Sequence, residues 1–116
     1  MSAGSQDSPV QIVHRHVEAM GRRDIDAFMA ECAPGITLIN ATGHRLLEGH
    51  EAVRLMYTGV FDANPALRTE LMDRISIGTW VFDEHLMSGF ADGSQLHLVR
   101  VYRVEGGRIQ SIQIFQ

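Results

Sequence analysis

The spacing of apolar residues changes near Ala66, and this change constrains the fold more than any other feature of the chain. Before it, apolar side chains recur at helical spacing, as at Val13, Val17 and Met20. The later part is β-rich: its four stretches run over 67–78, 80–90, 95–104 and 108–115, with turn residues at 78–79, 92–93 and 106–107. Helices followed by an antiparallel meander predict an α+β fold rather than parallel βαβ units.

The first half is expected to hold three helices and little strand. The predicted elements are a helix over 9–21, a second helix from Asp24 through Cys32, a strand over 36–41, an extended piece around Leu46 and a third helix over about 51–61. Ser8 followed by Pro9 is typical of a helix N-terminus, and Asp24 is a capping residue for the second helix. Pro34 and Gly35 are expected to end that helix.

Length and composition predict one domain and exclude several functions. The 116 residues and net charge of −4 suit a single domain over 8–116, behind a disordered arm over 1–7, with no electrostatic surface for nucleic acid. The chain has one cysteine, Cys32, and no lysine. An internal disulfide and Schiff-base chemistry are therefore excluded, and the single cysteine fits the reducing cytoplasm. No apolar run is long enough to span a membrane, and no His or Cys spacing suggests a metal or other cofactor.

The Asp92-Gly93 turn predicts which residues of the meander share a face. If Ala91 pairs with Ser94, His85 lies opposite Arg100 and Asp83 lies opposite Tyr102. Alternation then divides the two strands into two sets. One face holds Asp83, His85, Met87, Leu98, Arg100 and Tyr102; the other holds Phe82, Glu84, Leu86, Val99 and Val101.

The last strand is assigned by the same reasoning from the Gly106-Gly107 turn. A two-residue turn predicts that Ser111, Gln113 and Phe115 join the face of Arg100, while Ile112 and Ile114 join the other face. A three-residue loop would reverse this assignment.

The face that mixes Asp83, His85, Arg100 and Tyr102 with apolar residues has two interpretations. In the first it is a structural network, in which Asp83 neutralises Arg100, Tyr102 donates a hydrogen bond and His85 fills space. In the second it lines a pocket and is polar because a ligand contacts it. The aliphatic face opposite is suited to contact another layer or another subunit.

Three motifs together resemble the nuclear transport factor 2-like superfamily. They are Arg-Asp-Ile-Asp-Ala-Phe at 23–28, Leu-Glu-Gly-His-Glu-Ala-Val-Arg at 47–54 and Val-Tyr-Arg-Val-Glu-Gly-Gly-Arg-Ile at 101–109. Within it, the chain is most similar to SnoaL-like and ketosteroid-isomerase-related bacterial proteins. The resemblance covers residues 9–115 and implies a cone: a curved mixed sheet wrapped around three helices, with an apolar pocket at its open end. It also implies a homodimer that packs through the convex face of the sheet.

The resemblance to ketosteroid isomerase implies three site positions, and all three have changed. The positions of its tyrosine, its carboxylate base and its protonated aspartic acid correspond to His16, Asn40 and Arg100. An amide cannot abstract a proton and a guanidinium is not a neutral acid, so that mechanism is not expected. All three residues can still form hydrogen bonds, which favours a polar-lined pocket.

We therefore expect a small-molecule pocket protein. Its chemistry, if catalytic, would be acid–base chemistry of an isomerase, cyclase or hydrolase type on a small apolar carbonyl or ring substrate. The candidate residues are Asp83 or His85 as base, with Arg100, Asn40, His16, Tyr57 and Tyr102 around the ligand. The alternative is a non-catalytic ligand-binding or dimerisation module whose polar face is structural.

Overall fold

Three helices and one six-stranded sheet make up the computed structural model, which describes residues 7–116. The elements are α1 (Pro9–Gly21), α2 (Ile25–Ala30), β1 (Cys32–Ile39), β2 (Arg45–Glu48), α3 (His50–Ala63), β3 (Arg68–Ile77), β4 (Trp80–Ser88), β5 (Leu96–Glu105) and β6 (Arg108–Phe115). This confirms the predicted α+β class. The predicted arm, apart from Asp7, lies outside the described residues. None of the helices between residues 7 and 116 is long and apolar enough to cross a membrane.

Local signals determine where the first two helices begin. Ser8 accepts a hydrogen bond from the backbone N–H of Gln11, and the Gln11 side chain accepts one from the Ser8 N–H, which completes a capping box. Asp24 caps α2 by accepting from the Ala27 N–H. The second helix ends at Ala30, earlier than predicted, and Cys32 begins β1 instead of lying on the helix. Pro34 and Gly35 occupy an irregular part of that strand, where its pairing to β6 shifts register.

The strands form a curved, unclosed sheet in the order β2-β1-β6-β5-β4-β3. All pairings are antiparallel except β1 with β6, which is parallel, so the sheet is mixed as the resemblance implied. We call the side on which the helices pack the inner face and the opposite side the outer face. The core lies between the helices and the inner face, around fully buried side chains such as Phe28, Ile36 and Ile112.

The face predicted for β4 and β5 is confirmed, but the pairing within it is wrong by two residues. Asp83 lies opposite Arg100, and His85 lies opposite Leu98. The strands separate at the Met87–Leu96 pair, so the connecting loop is longer than the Asp92-Gly93 turn alone suggests. Because the observed register differs from the predicted one by an even number of residues, the residues of β4 and β5 predicted to share a face with Arg100 do so, and this is the inner face.

The face predicted for the last strand is wrong. The Gly106-Gly107 turn is the expected two-residue connection, since Glu105 pairs with Arg108. A register shift between Arg103 and Val104 then leaves one extra residue on β6. As a result Ile112 pairs with Tyr102, and Ile114 pairs with Arg100, so both isoleucines lie on the inner face.

Candidate functional site

A cavity of about 210 Å³ lies between α3 and the inner face of the sheet. Its lining is apolar apart from a few groups, and Arg100 is the charged one among them. The lining residues are Met20, Met56, Tyr57, Val60, Phe61, Leu67, Met87, Phe90, Leu96, Leu98, Arg100, Ile114 and Gln116. An apolar cavity with a few polar groups is the usual form of a small-molecule site.

Arg100 contributes a buried guanidinium to this cavity. The residue is only 4% exposed, and its Nη2 donates to the thioether sulfur of Met87 at 3.4 Å. Within residues 7–116, the Nε and Nη1 atoms have no hydrogen-bond partner and no carboxylate forms an ion pair with this group. A thioether is a weak acceptor, so the charge of Arg100 is almost uncompensated.

Asp83 is paired with Arg74 of β3 and not with Arg100. Arg74 donates from Nε to one carboxylate oxygen at 2.6 Å and from Nη2 to the other at 2.8 Å. Burial alone would raise the pKa of Asp83, but the hydrogen bonds from Arg74 and the neighbouring charges lower it overall. The predicted neutralisation of Arg100 by Asp83 is therefore wrong, although the two residues do lie opposite each other on β4 and β5.

Arg74 was missed by the sequence reasoning, although the chain contains the signal for it. The Gly78-Thr79 turn closes the β3–β4 hairpin so that Ile77 pairs with Trp80. The same pairing argument, applied to this turn, places Arg74 directly opposite Asp83.

His85 lies beside Asp83 at the inner face and is fully buried. Its Nδ1 is 3.0 Å from the hydroxyl of Thr69, and its Nε2 is 3.5 Å from an oxygen of Asp83. The second distance is too long for a well-formed hydrogen bond. His85 is thus held on one side only, by the Thr69 hydroxyl.

His16 and Tyr102 complete a group of buried polar side chains. The Nδ1 atom of His16 is 2.9 Å from the carbonyl of Phe28, and its ring stacks on the Phe28 ring at 3.9 Å between centroids. Burial lowers the pKa of His16 to about 3, so the imidazole is neutral at pH 7 and its Nδ1 donates to that carbonyl. Burial raises the pKa of Tyr102, which keeps its phenol protonated.

The structure brings five of the seven predicted site residues together. We call His16, Asp83, His85, Arg100 and Tyr102 the inner polar cluster; all five are 4% exposed or less. In the part of the chain that the structure describes, the His16 Nε2 and the Tyr102 hydroxyl have no hydrogen-bond partner. Buried polar atoms without partners are uncommon in folded proteins.

The other two predicted residues are placed differently. Tyr57 lines the cavity from α3, and its ring packs on Phe28 at 4.6 Å between centroids. Asn40 lies in the β1–β2 turn, where its side-chain oxygen accepts from the backbone N–H groups of Thr42 and His44. It does not line the cavity.

A metal site is not evident in the described residues. No group of three or more His, Cys, Asp or Glu side chains among residues 7–116 is arranged to hold an ion. The single cysteine, Cys32, is buried, and burial raises the pKa of its thiol to about 12, so it is a poor ligand and nucleophile.

A sequence model of the SnoaL-like domain matches residues 13–112, which is most of the chain. The chain belongs to the SnoaL-like domain family. The expected membership of the nuclear transport factor 2-like superfamily is thereby confirmed. No curated protein matches this SnoaL-like chain.

Solved structures share the fold of this SnoaL-like domain at low sequence identity. A nuclear transport factor 2-like protein of unknown function from Cytophaga hutchinsonii is 16% identical, with a TM-score of 0.80 over 99% of this chain and 93% of that chain. A proposed polyketide cyclase from Sinorhizobium meliloti is 23% identical, with a TM-score of 0.78 over 90% and 94%. TerC, co-crystallised with polyporic acid, is 14% identical, with a TM-score of 0.77 over 92% and 89%.

Proposed function

We propose that this protein binds a small, largely apolar molecule in the cavity, and that Arg100 binds an anionic or carbonyl oxygen of that molecule. The observation that supports this most is the guanidinium of Arg100, which lines an apolar cavity at 4% exposure with only a thioether as partner. Holding a cation there is costly unless a partner compensates it.

The relatives support a small-molecule ligand without identifying it. The Sinorhizobium protein is a proposed polyketide cyclase, and TerC was co-crystallised with polyporic acid. One scaffold of this kind can serve unrelated reactions, so the substrate has to come from the site itself.

Acid–base chemistry in this cavity would depend on His85 rather than on Asp83. Both oxygens of Asp83 accept hydrogen bonds from Arg74, and the pKa of this carboxyl is lowered, which makes it a weak base. We propose His85 as the base, Thr69 as its positioning residue, and His16 and Tyr102 as polarising groups. None of His16, Asp83, His85 and Tyr102 lines the cavity, so this acid–base role is proposed separately from the binding role of Arg100.

The binding proposal is tested by a thermal-shift screen against small hydrophobic ketones, carboxylic acids and phenols. A ligand at a hundred times its Kd adds about 2.7 kcal/mol of stability, which is easily measured. The hits should be lost in Arg100→Ala and kept in Arg45→Ala, a control arginine that is exposed on β2 and pairs with Glu48. Hits that persist in Arg100→Ala would contradict the role given to Arg100.

The second candidate is a dimerisation module, and the outer face supports it. Ile75, Ile77, Trp80 and Phe115 are 56%, 64%, 41% and 38% exposed, an apolar patch of the kind that contacts another subunit. We propose that a homodimer forms through this face, in the cytoplasm that the single cysteine suggests. Light scattering of the wild type should give twice the 12.9 kDa chain mass, and Ile75→Glu should give the monomer mass.

A further inference from the structure

The charges at the inner face do not cancel. Asp83 and Arg74 neutralise each other through two hydrogen bonds, at 2.6 and 2.8 Å. Arg100 is the remaining charged side chain of the inner polar cluster, and across residues 7–116 no carboxylate lies within ion-pair distance of it. The arginine–aspartate pair and Arg100 together therefore leave one positive charge beside the cavity.

The other groups of the inner polar cluster do not supply a negative charge. Tyr102 is a protonated phenol, because burial raises its pKa. His16 is a neutral imidazole whose Nδ1 proton is used by the Phe28 carbonyl. Both residues contribute dipoles, which weaken the electric field of a nearby cation but do not neutralise its charge.

The guanidinium of Arg100 determines which chemical group of a ligand fits beside it. This group is planar and presents several N–H donors in a fixed arrangement that matches two oxygens of one carboxylate. Its Nε and Nη1 donors have no acceptor among the described residues, and each of them forms, together with Nη2, a donor pair that one carboxylate can accept from. Beyond Arg100 the lining is almost wholly apolar, with Met56, Val60 and Leu98 as examples, so the rest of the ligand must be apolar too.

We propose that the ligand is the monoanion of a small apolar carboxylic acid, with its carboxylate on Arg100 and its hydrocarbon or ring in the cavity. This inference rests on the proposed function, because it requires that the cavity bind a small molecule. It goes further in requiring a negative charge on the ligand and in excluding neutral carbonyl compounds as the preferred class. A cavity of about 210 Å³ has room for a single ring.

Matched ligand pairs test this inference separately from the proposal that the cavity binds a small molecule. Benzoate, phenylacetate and cyclohexanecarboxylate are each compared with the corresponding carboxamide, which has nearly the same shape without the charge. Affinities for the full chain are measured by titration calorimetry at neutral pH. At least one acid should bind about tenfold or more tightly than its amide, because charge-assisted bonds to a buried guanidinium are stronger than neutral ones.

Variants of Arg100 test whether that preference comes from this side chain. Arg100→Met should abolish the difference between acid and amide while leaving weak binding of both. Arg100→Lys keeps the charge and should retain a smaller preference for the acid, since it lacks the planar set of donors. Arg45→Met is the control and should bind as the wild type does, because Arg45 is exposed and does not line the cavity.

The outcomes are distinct. Equal affinity for acid and amide in the wild type, or a preference that persists in Arg100→Met, overturns the monoanion inference and leaves the pocket proposal in place. Failure of every acid and every amide to bind the wild type overturns both.

Discussion

The two faces of the sheet differ in the exceptions that they make to the usual distribution of polar and apolar residues. The inner face buries a carboxylate, two imidazoles, a guanidinium and a phenol, although one of these imidazoles comes from α1. The outer face exposes Ile75, Ile77 and Trp80 to solvent. Buried polar groups and exposed apolar patches are the informative exceptions in a soluble fold. The comparison teaches that the inner face carries buried polar groups that packing alone does not require, and that the outer face carries apolar groups that no described residue covers.

The largest effect is expected from breaking the buried ion pair of the inner face. Asp83→Asn removes the charge that compensates Arg74, whose side chain is only 14% exposed. The free energy of unfolding should fall by about 3–5 kcal/mol. Urea denaturation measures it, with Glu84→Gln on the outer face as a control that should change stability by less than about 0.5 kcal/mol. Equal losses of unfolding free energy in the two variants would contradict the expected difference between the inner and outer faces.

Acid should destabilise the protein through His16. The pKa of this imidazole is about 3 in the folded state and about 6.5 when unfolded, so the unfolded chain binds the additional proton between these values. Stability should therefore fall as the pH drops below about 6.5, with a slope of up to about 1.4 kcal/mol per pH unit. His16→Gln should remove this part of the slope when unfolding is followed from pH 7 to pH 4. A slope unchanged in the variant would mean that the pKa of His16 is the same in the folded and unfolded states.

Replacing Arg100 should have the opposite effect on stability from replacing Asp83, and a smaller one. Its charge has no carboxylate partner within the described chain, so Arg100→Met should raise the free energy of unfolding by about 1–3 kcal/mol. Ligand-free protein is used, with denaturation in urea. A clear loss of stability would show that Arg100 is part of a structural network and would favour the non-catalytic interpretation.

The smallest effect on the folded chain is expected on the outer face. Ile77→Thr removes apolar surface from a residue that is 64% exposed, so the stability of the monomer should change by less than about 0.5 kcal/mol. If this face forms the dimer, the same variant should weaken association in sedimentation experiments. Variants of the inner face should leave association unchanged, and loss of the dimer in Asp83→Asn without unfolding would contradict this division.

Much of the architecture could be read from local signals in the sequence. The capping residues Ser8 and Asp24 begin the first two helices where predicted, because a cap acts within one turn. The inner face of β4 and β5 was also predictable, since alternation of side chains survives an even slip in register. The family motifs indicated the mixed sheet and the cone.

What the sequence alone determined was thus the order of the elements and the face on which most polar side chains lie, because both depend on neighbours along the chain. Tertiary structure decided which strand positions meet. The extra residue in β6 turned Ile112 and Ile114 inward. The Gly78-Thr79 turn predicts Arg74 opposite Asp83, but only the packed structure shows that Arg74 takes both carboxylate oxygens. Arg100 was thereby left without a carboxylate, because the partner of a buried charge depends on bulges and loop lengths that periodicity does not encode.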